Sequence, residues 1–166
     1  MKLLVNGDTD SAKLAESVQR MFSEQLTGAL GTTGEGGPNV CTIYYAHNKG
    51  FIWFTSQEAT RHVSALRHDP TVALCIWQRP EVWGSALFGL QLTCVATEVV
   101  DESDARLGLD ALHARFPGTR TSLPELSSVV GRSRKTALVR LELKEGVLID
   151  ESNLGARTFV SFRWDR

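Results

Sequence analysis

The chain has 166 residues, 18 Lys and Arg against 19 Asp and Glu, a formal charge of -1 and 42% hydrophobic residues, which suits one domain around one ordinary core. Balanced charge lacks the basic excess on which phosphate-backbone binding rests, and the composition is too apolar for a disordered tail. Cys41, Cys75 and Cys94 form no CxxC pair, so they predict buried thiols in a reducing, cytoplasmic setting and no metal cluster. No apolar run reaches the roughly 18 residues of a membrane span, and MKLLVNGDTD turns polar too early for a signal peptide.

Taken in chain order, Leu14, Val18, Met21, Phe22 and Leu26 recur at helical spacing and predict an amphipathic helix over 10–26. Two strands follow, 29–33 and 40–46, joined by the turn Gly34-Glu35-Gly36-Gly37-Pro38; lacking the Gly-Lys-Ser/Thr of a phosphate loop, this stretch reads as a hairpin. His47-Asn48-Lys49-Gly50 is a second turn, before the aromatic strand 51–56. A short helix starts near Thr60 and closes at Pro70, and 72–77 is a buried strand. After a loop over 78–85 containing Trp83, a long strand spans 87–100. Asp101 caps a helix reaching Phe116, and 118–135 is irregular with at most one helical turn. Strands at 137–143, 146–149 and 158–164 end the chain. Hairpin-linked strands without a βαβ pattern predict a mainly β (α+β) fold, a closed antiparallel barrel with peripheral helices. The whole chain, 1–166, reads as a single domain: helix over 1–27, barrel strands over 28–100, helix and loop over 101–135, closing strands over 136–166.

Chemistry concentrates where Phe54-Thr55-Ser56 runs into Thr60-Arg61-His62. A strand ending in hydroxyls and leading into a helix start offers O–H and N–H donors, and Arg61 adds a guanidinium; together they suit a phosphate monoester, although capping residues beside a solvated Arg would look the same. His47, His68 and His113 are scattered over a turn, a helix end and a helix surface, and Asp101, Glu102 and Asp104 read as helix-start charge rather than a catalytic pair. Trp77 and Trp83 suit a core, an interface or stacking on a ring.

The order of the opening helix, glycine-turn hairpin, F-x-W-F-T-S, T-R-H helix, Asp69-Pro70-Thr71-Val72-Ala73-Leu74 and a long strand resembles the flavin-binding split-barrel superfamily typified by pyridoxamine 5'-phosphate oxidase. The stretch 143–164, with Asp150-Glu151-Ser152-Asn153-Leu154-Gly155, is most similar to an uncharacterised bacterial branch of it. The resemblance implies a six-stranded split barrel, a homodimer, and FMN in a cleft at the dimer interface. It places Thr55, Ser56, Thr60, Arg61 and His62 at the flavin phosphate, Gln91 near the cofactor, and Thr42, Ile43 and Tyr44 along the isoalloxazine. Two departures stand out: 40–46 carries no basic residue, leaving Arg132, Arg134 or Lys135 to replace that cation, and 158–166 lacks the oxidase's substrate-binding Arg motif. The expected function is therefore an FMN-dependent oxidoreductase acting on another small molecule. The alternatives are a non-catalytic flavin or haem carrier, with His62 or His113 as axial ligand, and a purely interacting dimer.

Overall fold

A computed structural model of the chain describes residues 2–5, 9–117, 124–130 and 134–165. Among these residues the elements run β1 (Lys2–Val5), α1 (Ser11–Glu24), β2 (Thr27–Gly34), β3 (Gly37–Tyr44), β4 (Ala46–Asn48), β5 (Phe51–Gln57), α2 (Arg61–His68), β6 (Thr71–Trp77), β7 (Phe88–Glu98), α3 (Glu102–Arg115), α4 (Leu126–Val129), β8 (Thr136–Asp150), α5 (Glu151–Leu154) and β9 (Phe159–Asp165).

Local chemistry accounts for most boundaries. The Asp10 carboxylate accepts from the Ala12 N–H at 2.9 Å, and Asp101 accepts from Ser103 N–H at 2.9 Å, so each caps the helix that follows. Lys49 and Gly50 both take positive φ, 51° and 80°, the two-residue turn whose twist matches an antiparallel pair. That turn makes His47 and Asn48 part of a strand, β4, where the sequence predicted a turn.

Six antiparallel strands form the barrel in the order β3-β2-β6-β7-β8-β5. The expected closed barrel is not closed: β3 and β5 come close, but no ladder joins them. The reason lies in β4, which folds back and takes the free edge of β5 at Phe51–Trp53, leaving the split-barrel seam along Phe54–Gln57. Strand β8 is continuous where the sequence predicted two strands. Lys144 is an extra residue in its register with β7, between the pairs Leu143↔Cys94 and Glu145↔Thr93. Before this bulge β8 pairs with β5; after it, the same edge pairs with β9. Strand β1 then pairs with β9, so the segment read as an opening helix also supplies a sheet edge.

The barrel interior packs Leu30, Ile43, Ile52, Phe54, Leu74 and Leu90 against Leu14, Val18, Met21 and Phe22 of α1. A second apolar layer sets Trp53 and Leu138 against Leu109 and Leu112 of α3 and Val129 of α4. Because side chains alternate along a strand, β5 feeds both layers, Ile52 and Phe54 inward and Trp53 outward. No described helix is long and apolar enough to cross a membrane.

Candidate functional site

The same alternation separates the two hydroxyls at the end of β5. Ser56 shares the face of Ile52 and Phe54, and Thr55 shares the face of Trp53. The turn into α2 then brings Ser56, Thr60 and His62 together. Ser56 Oγ lies 2.6 Å from His62 Nε2 and 3.1 Å from Thr60 Oγ1, and Thr60 Oγ1 lies 3.3 Å from the same imidazole nitrogen. Burial lowers the His62 pKa, so at neutral pH the ring is an uncharged hydrogen-bonding partner of the hydroxyls rather than a cation.

Helix α2 begins unlike α1 and α3. Thr60 stands at its N-cap position but makes no side-chain capping bond; its hydroxyl instead donates to the Gln57 carbonyl at 2.9 Å. The first-turn N–H groups therefore lack the side-chain acceptor that Asp10 and Asp101 supply elsewhere, and the positive end of the helix stays open toward an anion. Arg61, the first helical residue, adds a full positive charge. Its Nη2 donates to the Gly36 carbonyl at 2.5 Å, tying the β2–β3 turn onto α2. A Cβ at Gly34 would lie 3.2 Å from Ala65 Cα, so the glycine-rich turn is a hairpin, as predicted, whose glycines let it rest on the helix. Arg61, Ser64 and His68 share one helix face and line a cavity of about 360 Å³ beneath that turn.

One of the predicted replacement cations is engaged elsewhere. Arg134 is bound in a four-membered network, 3.2 Å from Glu58 and 2.6 Å from Glu98, and Arg67 bonds the same two carboxylates. These guanidinium partners hold the Glu98 carboxyl below its usual range. Lys135 is exposed, with its carbonyl accepting from Glu58 N–H at 3.0 Å, and Arg132 lies outside the described residues.

Thr42, Tyr44 and Gln91 stand on the outer face of the sheet, while Ile43 is buried inside. The cross-strand row Thr42, Ala29, Cys75, Gln91 sets Thr42 and Gln91 three strand spacings apart, roughly 14 Å. The chain thus gathers Ser56, Thr60 and His62 into one cluster, turns neighbouring Arg61 toward the hairpin, and leaves Gln91 on a remote part of the sheet. The feature that sequence reasoning missed is the partner of Arg61, a carbonyl 25 residues away with no side-chain signature. Among the described residues no group of three His, Cys, Asp or Glu side chains could hold a metal ion. Cys94 is buried as expected, whereas Cys75 is half-buried in the outer row of the sheet with Thr42 and Gln91, and Cys41, on the inner face beside Ile43, is half-buried against the core.

This arrangement can hold a phosphate or another compact anion. The family model described as pyridoxamine 5'-phosphate oxidase matches residues 14–147. No curated protein sequence matches the chain. Among solved structures, a haem-binding protein from Mycobacterium smegmatis superposes with a TM-score of 0.73 at 16% identity, over 95% of this chain and 60% of that one. The chain therefore spans about three fifths of that relative's length. The haem storage protein HutZ from Vibrio cholerae gives 0.69 at 21% identity, over 86% of this chain and 98% of HutZ. An FAD-binding protein from Mesorhizobium loti gives 0.60 at 15% identity, over 99% and 100% of the two chains. At these identities the structures establish the shared split-barrel fold, while the match over residues 14–147 establishes descent: the chain belongs to the pyridoxamine 5'-phosphate oxidase family.

Proposed function

We propose that the protein is an FMN-binding oxidoreductase acting on a small molecule and working as a homodimer. The observation that carries this reading is the uncapped start of α2 beside Arg61 and the Ser56–Thr60–His62 cluster. An open helix N-terminus, a guanidinium and hydroxyl donors are what a phosphate monoester recruits. The site fits the phosphate of FMN better than that of pyridoxal or pyridoxamine substrates, since the substrate-binding Arg motif is missing from 158–166. When bound, FMN supplies hydride chemistry at its N5. The chain's own part is to anchor the phosphate through Arg61 and the α2 amides and to orient the ring through the seam between β3 and β5.

Dimerisation rests on the outer sheet face. Trp77, Gly89, Ile149 and Phe159 form one cross-strand row there, Val40 and Tyr44 extend the exposed apolar surface, and Phe159 is 61% exposed. Apolar area of this extent suits burial against a second copy. Gln91 lies on this face, so a second protomer can bring it to the first protomer's seam.

Haem binding is the second reading, favoured by the haem proteins among the structural relatives. An axial bond from His62 would have to displace Ser56 from its Nε2 at 2.6 Å, which weighs for flavin. The protein purified without added cofactor should show flavin bands and sediment as a dimer, and FMN added to the stripped protein should be quenched on binding. Arg61→Ala should weaken FMN at least tenfold, about 1.4 kcal/mol. Undiminished affinity in that variant would overturn the phosphate assignment, a Soret band would select haem, and a colourless protein indifferent to FMN would remove both readings.

A further inference from the structure

A cleft of about 440 Å³ lies between α1, β4 and α3, lined among others by Gln19, Phe22, His47, Asn48, Asp110 and Arg115. None of these residues belongs to the seam site. The volume is at the lower end of small-molecule pockets, adequate for a molecule of amino-acid size.

Two of the lining side chains carry buried polar atoms whose bonding is unfinished. His47 stacks on Phe22 with ring centroids 4.2 Å apart, and its Nε2 is buried without a hydrogen-bond partner. Arg115 donates from Nη2 to the Phe22 and Gln25 carbonyls at 3.3 and 3.0 Å, yet its Nε is likewise buried and partnerless. Native proteins rarely leave two such atoms beside one cavity, since each unmet group costs about 1 to 3 kcal/mol. Arg115 is thus a fixed guanidinium, held by the end of α1, with bonding capacity left over. Asp110, five residues earlier on the same helix α3, also lines the cleft, exposed and without an ion pair among the described residues. Gln19 and Asn48 add amides from α1 and β4.

We propose that this cleft binds a free α-amino acid or a similarly small zwitterion. The carboxylate of the ligand pairs with Arg115, and its ammonium pairs with Asp110. A simple anion would satisfy Arg115 but stand near the Asp110 carboxylate; a simple amine would meet the reverse conflict. A molecule carrying both charges matches both ends, and Gln19 and Asn48 remain for its side chain. This inference is independent of flavin binding.

The test is a calorimetric titration of the full-length protein with each of the twenty standard L-amino acids, with and without FMN present. At least one should bind. Its decarboxylated amine and its N-acetyl derivative, which each lack one charge, should bind at least tenfold more weakly. Asp110→Asn, a change at an exposed position that leaves the fold intact, should weaken the amino acid at least tenfold, whereas Ser56→Ala should leave it unchanged. In the imidazole NMR spectrum, His47 should shift on binding. No amino acid binding by about 10 mM would overturn the proposal. So would binding that Asp110→Asn leaves undiminished, or an amine that binds as well as its parent amino acid. Failure of FMN to bind would leave these outcomes unaltered.

Discussion

His47 is where a single side chain decides most. Burial pushes its pKa down to about 4, against an ordinary value near 6.5 in the unfolded chain. Between those two values the unfolded state holds more protons. The stabilisation linked to this group is therefore complete above about pH 6.5 and is lost as pH falls toward 4, by at most about 3 kcal/mol. His47→Phe keeps an aromatic ring on Phe22 and removes the titration. Urea unfolding of the two proteins at pH 7 and pH 4 should show wild type losing more stability than the variant; equal losses would mean that His47 is protonated in the fold. The cysteines point the other way. Burial pushes the Cys94 thiol up to about 12 and raises Cys41 and Cys75 as well, so none is poised as a thiolate and thiol chemistry is a poor candidate for the function.

Helix α3 shows how packing overrides propensity. Gly108 lies in its middle, where Ala would ordinarily gain about 1 kcal/mol. A Cβ there would stand 2.9 Å from Trp53 Cζ3 and meet other atoms of that fully buried indole. Gly108→Ala should accordingly lose about 1 to 2 kcal/mol net, because overpacking a rigid ring exceeds the helical gain. A lower urea midpoint would confirm it, and a higher one would show that Trp53 can move. The elements legible in the sequence are those fixed locally. Asp10 and Asp101 cap their helices through bonds to residues two or three positions on, and the strands over 40–46 and 51–56 follow their own alternation and aromatic content. What could not be read depends on distant partners. Lys2–Val5 is a strand because β9 offers an edge, and Lys144 is a bulge only by reference to β7. α5 is set by Asp150, which accepts from Asn153 N–H while paired with Arg20 of α1 at 2.8 Å.

Over the whole molecule, the family and the barrel were legible from motif order, but the site was legible only in part. Ser56, Thr60 and His62 lie within seven residues, so one turn assembles them. Arg61 answers to a hairpin far away in sequence, and the distance from Thr42 to Gln91 is set by the order of β3, β2, β6 and β7. The open seam has a dynamic consequence. Along Phe54–Gln57, β5 is bonded to β8 on one edge and faces β3 without a ladder on the other. In an antiparallel pair only every second residue directs its N–H to the partner. Amide hydrogens in this half of β5 should therefore exchange with deuterium at alternating rates, slow where they meet β8 and fast where they face the seam. NMR-detected exchange would resolve the pattern residue by residue; uniform protection would mean that the barrel closes in solution. A ligand laid along the seam would slow the fast set alone, so the two-residue rhythm in β5 reports occupancy of the seam without requiring that the ligand react.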